Sequence, residues 1–251
     1  QTLKQPVGII NSSWGGTPAQ HWTPREVLGR DPELKTYVER WDKVKEAYPA
    51  AKAKYDEAME KWKAAAAEAK AEGKKAPQQP RAPRGSDDFG APGCLFYAMI
   101  APLVPYTIQG AIWYQGESNA NAADAPLYRT LFGTMIMSWR AVWSQGGRAG
   151  SDDPHFPFLF VQLANFQARH DHPTDTHWAQ LREAEFDTLE LPRTGMAVAI
   201  DIGEEKDIHP KNKQEVGRRL ALNAEALVYF RETEFSGPLY SGSQIEEGKI
   251  R

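Results

Sequence analysis

Asp207 and His209 stand two residues apart in the run Asp201-Ile-Gly-Glu-Glu-Lys-Asp-Ile-His-Pro210. In extended chain, residues at that spacing point to one side with Cα atoms about 6.5 Å apart. The carboxylate can therefore reach the imidazole and hold it with one ring nitrogen free to accept a proton. That is the base half of a Ser-His-Asp acyl-transfer arrangement. A lone histidine more often serves structure, and His21 and His155, with no acid so spaced, are read that way.

Three other polar stretches carry comparable chemistry. Asn11-Ser-Ser-Trp-Gly-Gly-Thr17 places Gly15 and Gly16 in succession. Such a pair can turn backbone N–H groups toward an oxyanion, or simply make a tight turn at positive φ. Gln115-Gly-Glu-Ser-Asn119 offers the Gln115 amide as a second oxyanion donor. Glu117 either organises hydrogen bonds there or contacts substrate, with Asn119 beside it. Gly116-Glu117-Ser118 begins like a nucleophile elbow, but Asn119 occupies the place of the closing glycine, so Ser118 is not assigned as nucleophile. Finally, His170, Asp171, His172, Asp175 and His177 crowd one loop. They could hold zinc, or be an ordinary solvated polar loop. Trp14 and Trp22 suit either the core or a platform for a sugar ring.

The elements that must position these stretches follow from apolar runs bounded by turn residues. Strands are predicted at 6–10, 109–114, 156–163 and 195–200, with helices at about 125–143, 177–189 and 211–230. Strand–helix alternation of this kind predicts an α/β fold, a three-layer, doubly wound, mainly parallel sheet. Ligands in such sheets sit at the carboxyl ends of the strands, and each of the four polar stretches follows a predicted strand.

Residues 31–93 interrupt the alternation. Asp31 suits an N-cap with Pro32 in the first turn. Leu34, Tyr37, Trp41, Val44, Tyr48, Tyr55 and Trp62 lie on a seam stepping by threes and fours. Pro49 is expected to kink or divide this helix. A run rich in Pro, Gln, Arg and Gly, residues 76–93, leads back. The segment reads as a helical arm inserted into an α/β domain made of residues 1–30 and 94–251; a lid or an oligomer contact is the alternative.

With 251 residues and 41% hydrophobic content, the chain can bury a sizeable core. A net charge of -3 gives no electrostatic reason to expect nucleic acid or an anionic membrane as partner. No apolar run approaches the roughly 18 residues of a membrane span. The only cysteine, Cys94, excludes an intrachain disulfide. A chain opening on Gln1 and stopping at Lys249-Ile-Arg251 is expected to be cut at both ends.

Trp113-Tyr-Gln-Gly-Glu-Ser-Asn119 resembles the signature of the sialate O-acetylesterases, a branch of the SGNH (GDSL-like) hydrolases. Further segments match in family order: Pro6 to Thr17, Met99 to Leu103, Trp178-Ala-Gln-Leu-Arg-Glu-Ala184, Asp201 to Lys213, and Val216 to Leu220. The resemblance implies a flavodoxin-like three-layer sandwich that removes O-acetyl groups from sugars, most typically sialic acids, without metal or cofactor. It makes His209 the base, Asp207 its partner, and Gly15 or Gly16 with Gln115 the oxyanion donors. It also implies a secreted or periplasmic location. An acetyl-xylan substrate, or a non-catalytic sugar-binding module, remains the alternative, and oligomeric state is left open.

Two departures qualify the match. Many SGNH relatives place the acid three residues before the histidine, where this chain has Lys206, so the role falls to Asp207 with Glu205 in reserve. The family's serine lies in a Gly-Gln-Ser-Asn-like motif upstream of the Gly15-Gly16 stretch, and no such motif occurs here. The nucleophile and the first strand are therefore expected on a separate or omitted N-terminal segment. A sheet lacking that strand would expose apolar edges.

Overall fold

The structure is a computed structural model that describes residues 6–85, 89–145, 155–172, 174–239 and 242–250. The chain divides into two compact units, residues 1–14 with 19–103, and residues 15–18 with 104–251.

The second unit holds a parallel sheet of three strands in sequential order: β1 (Ala111–Trp113), β2 (Phe158–Gln162) and β3 (Thr194–Val198). Side chains alternate across it. On one face, Phe158 and Phe160 of β2 and Trp113 of β1 pack against Phe132 and Trp139 of α3 (Tyr128–Gln145), edge-on except for Trp113 stacked on Phe132. On the same face, Gln162 Nε2 donates to the Arg182 carbonyl of α4 (His177–Asp187). On the other face, Val161 joins Val216 and Leu220 of α5 (Lys213–Leu227), and a Cβ on Gly195 would strike Leu227. Two helices on one face and one on the other give the expected three-layer α/β arrangement. Side chains start two of these helices: Thr176 Oγ1 accepts from Ala179 N, and Asn212 Oδ1 from Glu215 N.

Buried Arg140 of α3 ties down the amino ends of two strands. Its guanidinium donates to the Phe156 carbonyl at 3.0 Å and the Arg193 carbonyl at 3.2 Å. At the other edge, Ile112 of β1 is 66% exposed on that face. A short antiparallel hairpin, β4 (Ile245–Glu246) with β5 (Lys249–Ile250), follows near the end.

The strand expected at 6–10 is not formed. That stretch has no regular structure, and Val7, Ile9 and Ile10 are exposed, Ile9 by 83%. Apolar patterning alone does not make a strand, because the backbone groups need a neighbouring edge to bond to.

In the first unit, α1 (Arg25–Arg30) packs on α2 (Lys35–Ala71). Asp31 does the expected capping: Oδ1 accepts from Glu33 N and Leu34 N, and its carbonyl accepts from Lys35 N. Of the two outcomes expected at Pro49, division does not occur: the helix runs on through it. One proline removes one N–H, and the Ala-, Lys- and Glu-rich flanks favour helix strongly.

The seam of α2 is covered by the return segment. Trp62 Nε1 donates to the Pro77 carbonyl, Gln79 reaches Met59, and Gly85 lies against the Tyr48 ring. From Tyr48 to Trp62 the helix rises about 21 Å; from Pro77 to Gly85 an extended chain spans about 25 Å. The return is thus a nearly taut strap antiparallel to the helix. Part of the expected return, residues 86–88, lies outside the described residues. Residues 19–30 and 94–103 group with this unit rather than with the sheet. Gly93 N donates to the Gln20 carbonyl, and Tyr97 Oη is bonded to Glu26 and to Arg25 N.

Candidate active site

At the exit of β1, Gln115 sits in a buried chain of hydrogen bonds. Tyr128 Oη donates to Gln115 Oε1 at 3.0 Å, and Gln115 Nε2 donates to Asn119 Oδ1 at 2.8 Å. The oxygen of the amide is spoken for, and one Nε2 hydrogen remains for a ligand. Asn119 is fully buried. Between them, Gly116 lies so close to α4 that a Cβ there would meet Leu181 at 2.6 Å. Glu117 is half-buried. Burial first, then the Glu117 charge, pushes the Tyr114 hydroxyl up to about 12.

The exits of β2 and β3 are stitched together. Gly203 N donates to Asn165 Oδ1 at 2.7 Å, and Gln167 N to the Glu205 carbonyl at 2.9 Å. A Cβ on Gly203 would collide with the Asn165 backbone, so only glycine allows this approach. Arg219 of α5 grips the same exit, donating to Asp201 Oδ2 at 2.7 Å and to the Val198 carbonyl at 2.6 Å. The guanidinium holds the Asp201 carboxyl below its ordinary range.

This frame carries Asp207 and His209. Asp207 Oδ1 accepts the backbone N–H of His209 at 2.9 Å and lies 3.3 Å from Nδ1 of the same residue. The backbone bond first, then the ring, holds the Asp207 carboxyl below its usual range. Nδ1 faces the acid, and the side chain of His209 is 83% exposed. The loop is braced further by a Glu204–Asp207 bridge and by Lys211 on Glu204. Of the remaining candidates, Glu205 joins this stitching through its carbonyl.

Gly15 and Gly16 form an open turn. Gly16 has φ +71°, and a Cβ on either residue would meet no atom within 4 Å. Ser13 donates its hydroxyl to Asn11 Oδ1 and Ser12 to the Met99 carbonyl. Among the described residues no three His, Cys, Asp or Glu side chains converge as metal donors, the His170–His177 loop included. That loop instead walls a cleft of about 560 Å³ with Trp178 and Arg182 of α4.

Glu185 was not singled out from the sequence, yet it is the most buried carboxyl at the site. Oε2 accepts from Leu163 N at 2.9 Å, and Oε1 has no hydrogen-bond partner. Burial pushes its carboxyl well above the ordinary range, with the Glu117 charge adding to it. Its spacing from Trp178 and Leu181 places all three on the inner face of α4, which is the signal that would have found it.

A family model described as carbohydrate esterase, sialic acid-specific acetylesterase, matches residues 96–226. The chain is 32% identical to a rat sialate O-acetylesterase over 95% of its own length and 42% of that protein. It is also 32% identical to a human one, over 95% and 39%. A carbohydrate acetylesterase from Xanthomonas citri superposes with a TM-score of 0.69 at 34% identity, covering 99% of this chain and 43% of that one. The chain thus spans about two fifths of the length of these relatives.

Proposed function

Because the chain belongs to the sialic acid-specific acetylesterase family of carbohydrate esterases, we propose that it carries the acid–base half of an O-acetylesterase acting on acetylated sugars. The observation that carries this reading is the Asp207–His209 contact of 3.3 Å, with the imidazole open to solvent at the exit of β3.

A serine hydroxyl from a segment outside these 251 residues attacks the acetyl carbonyl, and His209 Nε2 takes its proton. Asp207 orients the ring through Nδ1 and stabilises the imidazolium. N–H groups of Gly15 or Gly16, with the remaining hydrogen on Gln115 Nε2, hold the oxyanion. His209 returns the proton to the sugar oxygen as the C–O bond breaks. Water, activated in the same way, then releases acetate and restores the serine. The engaged hydroxyls of Ser12 and Ser13 support a nucleophile from elsewhere. Relatives named for sialate favour that sugar over xylan, and an extracytoplasmic location follows from such substrates.

The test is hydrolysis of p-nitrophenyl acetate by a longer protein that includes the upstream segment. His209→Ala should abolish turnover, and unchanged turnover would remove the assignment. Sugar binding by that protein without hydrolysis would favour a non-catalytic module.

A further inference from the structure

Three consecutive residues fasten the exit of β2 to α4. Gln162 Nε2 donates to the Arg182 carbonyl, Leu163 N to Glu185 Oε2 at 2.9 Å, and Trp178 Nε1 to the Ala164 carbonyl at 2.8 Å. The next residue, Asn165, accepts from Gly203 N in the loop that carries His209. The Glu185 side chain also faces the exit of β1. Its Oε1 lies 3.1 Å from where a Cβ on Gly116 would stand, with Leu181 and Leu163 at 2.6 and 3.1 Å from the same point. The Gly116 backbone is thus seated on a floor of Glu185, Leu181 and Leu163.

Gln115 immediately precedes that glycine. Tyr128 and Asn119 fix how its amide is turned, while the seat of Gly116 fixes how far it stands from β2. Glu185 is buried and its Oε1 has no hydrogen-bond partner. An ionised carboxylate so placed would be costly. Burial holds the proton on despite Arg182 on the same helix, so the group is a neutral wedge that accepts one backbone hydrogen bond.

We infer that Glu185 is a positioning residue: by holding the exit of β2 with one oxygen and seating Gly116 with the other, it sets the distance between the Gln115 amide and the frame of His209. The inference rests on the acetylesterase reading and deepens it, because a misplacement of about 1 Å costs about 10²-fold in rate. Buried beneath the loop, Glu185 acts through Gln115 rather than on substrate.

Two variants separate this role from a merely structural one. Glu185→Gln keeps the size and the acceptor for Leu163 N, and Glu185→Leu keeps the bulk and removes the acceptor. Turnover of p-nitrophenyl acetate is measured in the longer protein that includes the upstream segment, well below its melting temperature. Glu185→Leu should lower kcat about 10²-fold with KM within about twofold. Glu185→Gln should keep kcat within about threefold of the unaltered protein. In a Gln115→Ala background, Glu185→Leu should cost less than about threefold, because the group it positions is gone. The full loss in that background, or unchanged kcat in folded Glu185→Leu, overturns the inference. Should Glu185→Leu fail to fold, Gly116→Ala presses on the same contact from the loop side and takes its place, with the same expected loss and the same dependence on Gln115.

The 251-residue chain gives a second readout. By NMR, the Gln115 side-chain amide protons should keep their shifts in Glu185→Gln; in Glu185→Leu they should move and exchange faster. Unmoved signals in Glu185→Leu overturn the positioning whatever the activity. No hydrolysis by the unaltered longer protein removes the esterase reading and leaves the amide signals to decide this one.

Discussion

Glu185 Oε2 accepts the backbone N–H of Leu163 at 2.9 Å, so a carboxyl on α4 is fastened to the exit of β2. The same group lies against Gly116 at the exit of β1, with its Oε1 3.1 Å from where a Cβ on that glycine would stand. One buried acid therefore sits under two of the loops that carry the candidate site.

This burial makes stability depend on pH. The folded protein holds the Glu185 proton to higher pH than the unfolded chain does. The contribution is full below the ordinary glutamate range and is lost as pH rises through the raised folded value. Melting temperature should fall with increasing pH above that range, and the fall should be shallower in Glu185→Gln. Parallel curves for the two proteins, measured from acid to mildly alkaline buffer, would contradict a protonated Glu185.

Gly203→Ala should destabilise the protein by about 1–3 kcal/mol, because the new methyl group must displace the Asn165 backbone. The urea midpoint measures the loss, and amide exchange in residues 201–209 should quicken. A change smaller than about 0.5 kcal/mol, the scale of a surface substitution, would mean that the two loops are not stitched as described.

Arg140→Met keeps the volume and removes the donors to the Phe156 and Arg193 carbonyls. The Arg193 carbonyl keeps its bond from Phe158 N, so the loss is that of the charge-assisted bonds, about 2 kcal/mol. Unfolding in urea reports it, and an unaltered midpoint is the contrary outcome.

Asp207→Asn in the longer protein should lower kcat by about 10²-fold, at the lower end for acid–base groups because the pair is solvent-exposed. KM should be nearly unchanged. A fall in affinity with kcat intact would instead make Asp207 a substrate-binding residue.

The sheet and its covering helices were legible because their apolar residues repeat with the period of each element. Helices 128–145 and 177–187 begin within about three residues of their expected starts. Residues 6–10 show the limit of such reading: Val7, Ile9 and Ile10 have strand character but no partner edge. Pro49 shows another, since a single proline was outweighed by its helical surroundings. The Asp207–His209 contact was readable from spacing alone. The Tyr128–Gln115–Asn119 chain was not, because it joins a loop to a helix through side chains whose meeting only the packing decides.

The strap along α2 works as a ruler. Held near full contour between its contacts with Tyr48 and Trp62, it has little slack to give. One extra turn of helix, about 5.4 Å, would call for about two more strap residues. Insertions in either segment alone should misalign the pair, so the two can change length only in step.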